Sequence, residues 1–247
     1  MSNLYGYSDY DGPKTDFDKR EEVQVPSKPF VDENDGDEDD DPLRSGLWME
    51  GDSLAPPCGS SIPLIHSLLK FASISSDDIL YDFGCGDGRV CLEALVQRNC
   101  CRCVGVEIEQ DLVEKSHRLI SQLPDSYKEL SDGAPRIQVI HADLRDVIQE
   151  LVTRGGTPDN EQPKLDQMRP FQKLPMPTII NLYLLPEAIM ELEKDLISLL
   201  QYARIVCNTW GLPNVKHSAA IEIPESGGAS TCLFLYSRKN IGKIDLP

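Results

Sequence analysis

The chain has 247 residues, 40% of them hydrophobic, and carries 41 acidic against 24 basic side chains for a net charge of −17. So large an acidic excess argues against direct nucleic-acid binding, which needs basic surface to displace counterions, and it suits a basic protein as substrate or partner. No run approaches the roughly 20 apolar residues that cross a bilayer, and the N-terminus has neither a signal-peptide core nor an Arg-rich transit composition, so a cytosolic or nuclear protein without membrane contact is expected.

Residues 1–45 hold 14 acids and 5 bases, and eight of the ten positions from Asp32 to Asp41 are acidic. Like charges at that density repel and bury nothing, so a disordered acidic tail is expected over 1–45, either dispensable or a contact for a basic substrate. The folded domain is expected over 46–247. Its first part is Pro-punctuated and contains Trp48, a lid residue or a surface anchor. Ile62, Leu64, Ile65, Leu68, Leu69 and Phe71 then repeat at helical spacing, with Ser60 or Ser61 as cap and Pro63 in the first turn.

The chain turns on the stretch from Ile79 to Val90. A short apolar strand, 79–83, enters a turn with Gly84, Gly86 and Gly88 at alternate positions and leaves as a helix over 89–98. Glycine accepts positive φ and lacks a Cβ, so backbone amides there can lie against a ligand at the carboxyl end of the strand. A second strand, 103–108, carries Glu107 near its end, roughly 20 residues past the glycines, where nucleoside-binding βαβ units place a ribose-binding acid. Dinucleotide folds ask for G-x-G-x-x-G, and Arg89 stands where the third glycine should be, so a nicotinamide oxidoreductase is the second reading.

A helix over about 112–120 and a polar loop through Pro135 follow. A third strand, 136–143, ends on Asp143, and Leu144, Val147, Ile148 and Leu151 mark a helix behind it. Residues 153–177 are rich in Pro, Gly, Asp and Gln and read as a long loop, substrate-facing or inconsequential. A fourth strand, 178–183, runs into Leu184-Leu185-Pro186 and a helix over 187–200, and a fifth, 203–209, runs into Trp210-Gly211. Two more strands, 219–223 and 231–236, flank a turn-rich segment and read as a hairpin. Strands alternating with helices indicate a parallel sheet with right-handed crossovers. Five of the eight cysteines fall in predicted strands, helices or the glycine turn, and without a secretion signal reduced thiols are expected. Cys100-Cys101-Arg102-Cys103 has no second ligand pair, so no metal site is expected.

The pattern Asp82-x-Gly84-x-Gly86-x-Gly88 followed by Glu107 resembles motif I and its companion acid in the class I S-adenosylmethionine-dependent methyltransferases. The segment Asn181-Leu182-Tyr183-Leu184-Leu185-Pro186 is similar to the YLLP segment of a small protein-lysine subgroup, related to the ATP synthase c-subunit lysine methyltransferases and more distantly to the non-SET histone lysine methyltransferase. The resemblance implies a Rossmann-like, doubly wound α/β fold with seven strands and a C-terminal antiparallel hairpin. It implies S-adenosylmethionine as cofactor and transfer to a protein lysine, with a small-molecule acceptor or a catalytically silent binding module as alternatives.

On that resemblance Gly84, Gly86 and Gly88 admit the methionyl part of the cofactor, and Asp82 meets its ammonium group or orders the turn. Glu107 takes the ribose hydroxyls, and Asp143 with the backbone of Leu144 receives the adenine. Glu107 and Asp143 could instead be plain helix N-caps. Asn181 and Tyr183 are the candidates to meet the methyl acceptor, although Asn181 could cap a loop and Tyr183 could be core. Glu187 and Trp210 lie near but are not assigned a task. Oligomeric state is left open.

Overall fold

The computed structural model describes residues 54–55, 59–156, 174–225 and 230–238. Strands β1 (Ile79–Phe83), β2 (Arg102–Glu107), β3 (Ile137–His141), β4 (Ile179–Leu182), β5 (Arg204–Asn208), β6 (Ala219–Pro224) and β7 (Ser230–Tyr236) form one sheet in the order β3-β2-β1-β4-β5-β7-β6. β1 to β5 are parallel, and β7 pairs antiparallel with both β5 and β6. This is the Rossmann-like, doubly wound seven-stranded sheet with an antiparallel C-terminal pair expected from the sequence. The chain leaves β1 toward β2 and β3, then returns to lay β4 and β5 on the other side. The order therefore reverses between β1 and β4, and in open α/β sheets the crevice at that point receives ligands.

Helix α1 (Ile62–Phe71) precedes β1, α2 (Arg89–Arg98) joins β1 to β2, α3 (Gln110–Ser121) and a short α4 (Asp125–Lys128) lie between β2 and β3, and α5 (Leu144–Gly156) and α6 (Pro186–Leu199) complete the crossovers. Strand alternation sorts the core. Tyr81, Phe83, Val104, Val106, Ile180, Leu182, Ile205 and Cys207 pack with α5 and α6 on one face. Leu80, Cys103, Ile179 and Val206 pack with α1 and α2 on the other. By the same alternation Asp82, Asn181 and Asn208 belong to the α1/α2 face, as polar side chains at the carboxyl edge of an otherwise apolar layer.

Local chemistry explains the boundaries. Ser61 caps α1, its hydroxyl accepting from the Leu64 amide at 3.4 Å, with a proline in the first turn. Asn99 closes α2 at φ +50, a left-handed conformation that asparagine tolerates. α5 runs to Gly156, so 153–156 are helical where a loop is expected, and α4 interrupts the expected polar loop. Residues 157–173, the 1–45 tail and Trp48 lie outside the described residues. At the amino edge of the sheet, Asp78 accepts from the Ser75 amide and hydroxyl, the Thr178 hydroxyl and both terminal nitrogens of Arg204. That cluster ties β5 to the start of β1. No helix among the described residues is long and apolar enough to cross a membrane. The seven described cysteines are free thiols, and among the described residues no group of three or more metal-binding side chains gathers.

Candidate functional site

The turn from β1 to α2 passes through Gly84, Gly86 and Gly88 at φ +74, +56 and +80. L-residues resist that conformation by about 1–2 kcal/mol each, which is why three glycines stand there. The space around them differs. A Cβ on Gly84 would come 3.4 Å from Ala55 and one on Gly88 3.4 Å from Ser116, whereas one on Gly86 would meet nothing within 4 Å. Gly86 is thus the glycine whose backbone faces open space.

Glu107, at the end of β2, is buried and holds this turn. Its Oε2 accepts from the Gly86 amide at 2.8 Å, and its Oε1 accepts from the Ile108 and Glu109 amides at 2.8 and 2.9 Å. A carboxylate offers about four acceptor directions, so three amides leave room for a further donor. Beneath the turn, Gly105 is required by packing, since a Cβ there would lie 2.6 Å from the Cys85 sulfur.

Asp82 and Asn181 face each other in register across β1 and β4, at the reversal of strand order. Both are 3% exposed. Asn181 Nδ2 donates to Asp82 Oδ1 at 2.7 Å. Asp82 Oδ2 and Asn181 Oδ1 have no partner among the described residues. Two adjacent buried acceptors without a donor each cost about 1–3 kcal/mol, and that cost is relieved by a ligand that brings N–H groups. Burial pushes the Asp82 carboxyl up to about 7, against the hydrogen bond from Asn181 and with help from the neighbouring charges of Glu107 and Asp87.

Asp87 behaves oppositely. Burial alone would raise its carboxyl, but hydrogen bonds and charge from Arg89, with Lys115 3.7 Å away, hold it below the usual carboxylate value. Arg89 grips it through Nε and Nη2 at 2.9 and 2.8 Å and reaches the Ser60 carbonyl at 3.4 Å. The residue in the place of a third glycine is therefore a strut between the turn and the entry to α1. The chain ahead of α1 also covers the site, because the Leu54 carbonyl accepts from the Leu185 amide at 2.9 Å and Ala55 lies against Gly84.

The strand expected over 136–143 stops at His141, so Asp143 lies two residues past β3, where it is engaged by Arg145. Its carboxylate accepts from the Arg145 backbone at 2.8 Å, as an N-cap does, and from Arg145 Nε and Nη2 at 3.0 and 2.7 Å. The Arg145 guanidinium holds the Asp143 carboxyl below its ordinary value. Leu144 opens α5 directly behind it. The Ala142 amide donates to the Glu107 carbonyl at 2.9 Å, which binds the ends of β2 and β3 together.

The structure brings Asp82, Gly84, Gly86, Gly88, Glu107 and Asn181 into one neighbourhood and sets Asp143 and Leu144 at the next strand end. Asn181 points its amide to Asp82, beneath the turn. Tyr183 is half-buried just past the end of β4, its ring nearly parallel to that of Trp210 with centroids 6.2 Å apart and planes at 18°. Sequence reasoning did not find Arg145, Asn208 or Thr209. Asn208 carried the same signal as Asn181, a polar residue closing an apolar strand. Its Nδ2 donates to the Ser60 hydroxyl at 3.1 Å. Thr209, at φ +67, gave no signal, because threonine is the wrong residue for that conformation.

No family model matches the sequence. A segment of 53 residues is 40% identical to a protein-lysine N-methyltransferase of Saccharolobus islandicus (strain REY15A), covering 22% of this chain and 33% of that protein. The match thus spans about a third of the curated relative's length. Among solved structures, the chain is similar to an RNA methyltransferase from Salinibacter ruber in complex with S-adenosyl-L-homocysteine, at 20% identity and TM-score 0.49, covering 72% of this chain and 92% of that one. It is also similar to M. capricolum TrmK in complex with S-adenosyl-homocysteine, at 10% identity and TM-score 0.49, covering 73% and 70%.

Proposed function

We propose that this protein is an S-adenosylmethionine-dependent methyltransferase that acts on a protein lysine side chain. The observation that carries the reading is the pair of donorless buried oxygens, Asp82 Oδ2 and Asn181 Oδ1, at the reversal of the sheet beside an open glycine turn. A primary ammonium supplies donors and a positive charge to that pair, and the cofactor's methionyl end carries one. The remaining residues fit the rest of such a ligand. Gly86 leaves room for the chain that joins ammonium to sulfonium, Glu107 keeps acceptor capacity for a ribose hydroxyl, and Asp143 with the Leu144 amide stands at the strand end beyond for the adenine.

The cofactor, when bound, supplies a methyl group already activated on a sulfonium. What the protein must add is alignment and exclusion of water. Leu54 and Ala55 cover the turn, and Tyr183 stands at the exit from β4 where an acceptor would enter. A lysine amine must be neutral to attack, with an ordinary pKa of about 10.4, and desolvation on seating against the cofactor favours the neutral form. The lysine acceptor is supported by the short segment shared with the Saccharolobus enzyme and by the −17 charge, which favours a basic target.

Calorimetric titration with S-adenosylhomocysteine and with 5′-methylthioadenosine, which lacks the amino-acid end, tests the carrying observation. The full ligand should bind about 100-fold tighter, the worth of charge-assisted bonds to Asp82 and Asn181. Equal affinities would refute the assignment. Radiolabelled cofactor incubated with cell lysate should then give label that protease removes and that mass spectrometry locates on lysine. Label confined to RNA or to small molecules would refute the acceptor.

A further inference from the structure

We infer that Trp210 recognises the acceptor as an alkylammonium, aimed for that task by a strained turn at Thr209; this rests on the methyltransferase reading above. At the end of β5 the Trp210 amide donates to the Asn208 carbonyl at 2.8 Å, spanning only two residues, while Thr209 between them sits at φ +67. That is the positive-φ form of the γ-turn, which is rare and strained, and a β-branched residue is poorly suited to it.

Strain of this kind persists only where the surroundings overdetermine it, and here they do. The Thr209 amide donates to the Cys232 carbonyl at 2.8 Å, and its hydroxyl donates to Asn208 Oδ1 at 3.1 Å. Beyond the turn, the Leu212 amide donates to the Tyr236 hydroxyl at 2.8 Å. Asn214 donates through its backbone amide and its side chain to Glu193 at 2.7 and 2.6 Å. Gly211 is packed so tightly that a Cβ there would overlap the Tyr236 hydroxyl at 2.4 Å. The consequence of all these contacts is the placement of one partly exposed indole against the Tyr183 ring, at the carboxyl edge of the sheet beyond Asn181.

An indole face attracts a cation more strongly than any other side-chain ring. The neighbouring crevice carries the carboxyls of Asp82 and Glu107, and Arg89 and Lys115 beside the glycine turn are both paired with Asp87. A stacked nucleobase would also suit two aromatic rings, but it comes with a phosphate backbone that needs basic surface, and this chain carries the opposite charge. The environment therefore favours a lysyl ammonium on its way in and a methylated ammonium on its way out.

The test uses the full chain grown with 5-fluorotryptophan. Its two tryptophans, Trp48 and Trp210, give two fluorine resonances, and loss of one in Trp210→Phe assigns them. Choline should shift the Trp210 resonance, and its uncharged isostere 3,3-dimethylbutanol should not. Equal shifts by both, or a shift by neither, would overturn the inference. In lysate labelling, Trp210→Leu should slow transfer to protein by about 5- to 30-fold and Trp210→Phe by a few-fold, the order of ring strength. Affinity for S-adenosylhomocysteine should stay within about twofold, showing that neither variant has lost the fold. Unchanged transfer in Trp210→Leu, or wild-type label that ribonuclease removes, would overturn the inference. Absence of cofactor binding in the wild type would instead overturn the methyltransferase reading, with the choline result left to stand or fall separately.

Discussion

Replacing Asp82 by asparagine should stabilise the unliganded protein while destroying its affinity for the cofactor. The Asp82 carboxyl titrates near 7 in the folded chain and near 3.9 once unfolded, and a difference of about 3 units is worth about 4 kcal/mol. The sign follows from proton counting. Between about pH 4 and 7 the folded state holds a proton that the unfolded state has released, so stability falls as pH rises through that window and is level above it. At pH 8 the wild-type fold carries the whole cost of an ionised, half-satisfied carboxylate, a cost that the neutral amide of the D82N variant removes. Scanning calorimetry should therefore show D82N melting about 8–16 °C above wild type at pH 8, at 2–4 °C per kcal/mol for a chain of this size. At pH 5, about one unit into that window, only about 1.5 kcal/mol has been lost and the gap should shrink to about 3–6 °C, closing below about pH 4.

Ligand binding reports the same proton from the other side. An arriving ammonium stabilises the ionised form, so binding at pH 6 should release about 0.9 proton, the protonated fraction of a group titrating near 7. Calorimetry in two buffers of different ionisation enthalpy counts it. D82N should release none and bind S-adenosylhomocysteine about 100-fold more weakly. A melting difference that is the same at pH 5 and pH 8, or binding without proton release at pH 6, would refute the reasoning.

Four further outcomes follow from the geometry. Glu107→Gln turns an amide NH₂ toward backbone N–H groups and should lower stability by about 2–3 kcal/mol in denaturant titration, with cofactor affinity falling alongside. Gly86→Ala should cost only about 1–2 kcal/mol of backbone strain yet weaken S-adenosylhomocysteine at least about tenfold, because its methyl group enters open ligand space; Gly105→Ala, which overpacks Cys85, should cost about 1–3 kcal/mol and perturb the same turn from below. Arg204→Ala leaves Asp78 without its guanidinium and should destabilise by about 3 kcal/mol near neutrality. Burial alone would raise the Asp78 carboxyl, but hydrogen bonds from Arg204, Thr178 and Ser75 hold it below its ordinary value. Its stabilisation is thus present above the unfolded pKa and lost as pH falls through the folded one, and the Arg204→Ala deficit should shrink below about pH 4.

How far the sequence could be read depended on whether a signal was local. Strand β1 and helix α2 were legible to the residue, because a short apolar run, three glycines and helical spacing all lie within twenty positions. The Ser60-Ser61 pair and Pro63 marked the start of α1 for the same reason, and the structure gives the cap to Ser61. Gly86 and Glu107 could be picked out from spacing, and Asp82 from the resemblance of the glycine pattern to a known motif. Their contacts could not, because the bond from Asn181 to Asp82 joins positions 99 apart and depends on the register of two strands. Asp143 was legible as an acid at a strand end, but Arg145 looked like any helix-surface arginine until both folded onto one carboxylate. Thr209 was hidden for a different reason. Its strain is imposed by β7, α6 and the Asn208 side chain together, and local propensity argues against it.

On the proposed function, the ammonium of a sulfonium nucleoside rests between Asp82 and Asn181. A crystal structure with S-adenosylhomocysteine measures this most directly. The ligand nitrogen should lie within hydrogen-bond distance of Asp82 Oδ2 and Asn181 Oδ1, with the ribose on Glu107. Density for the ligand elsewhere, or in that crevice with its amino group turned to solvent, would contradict it.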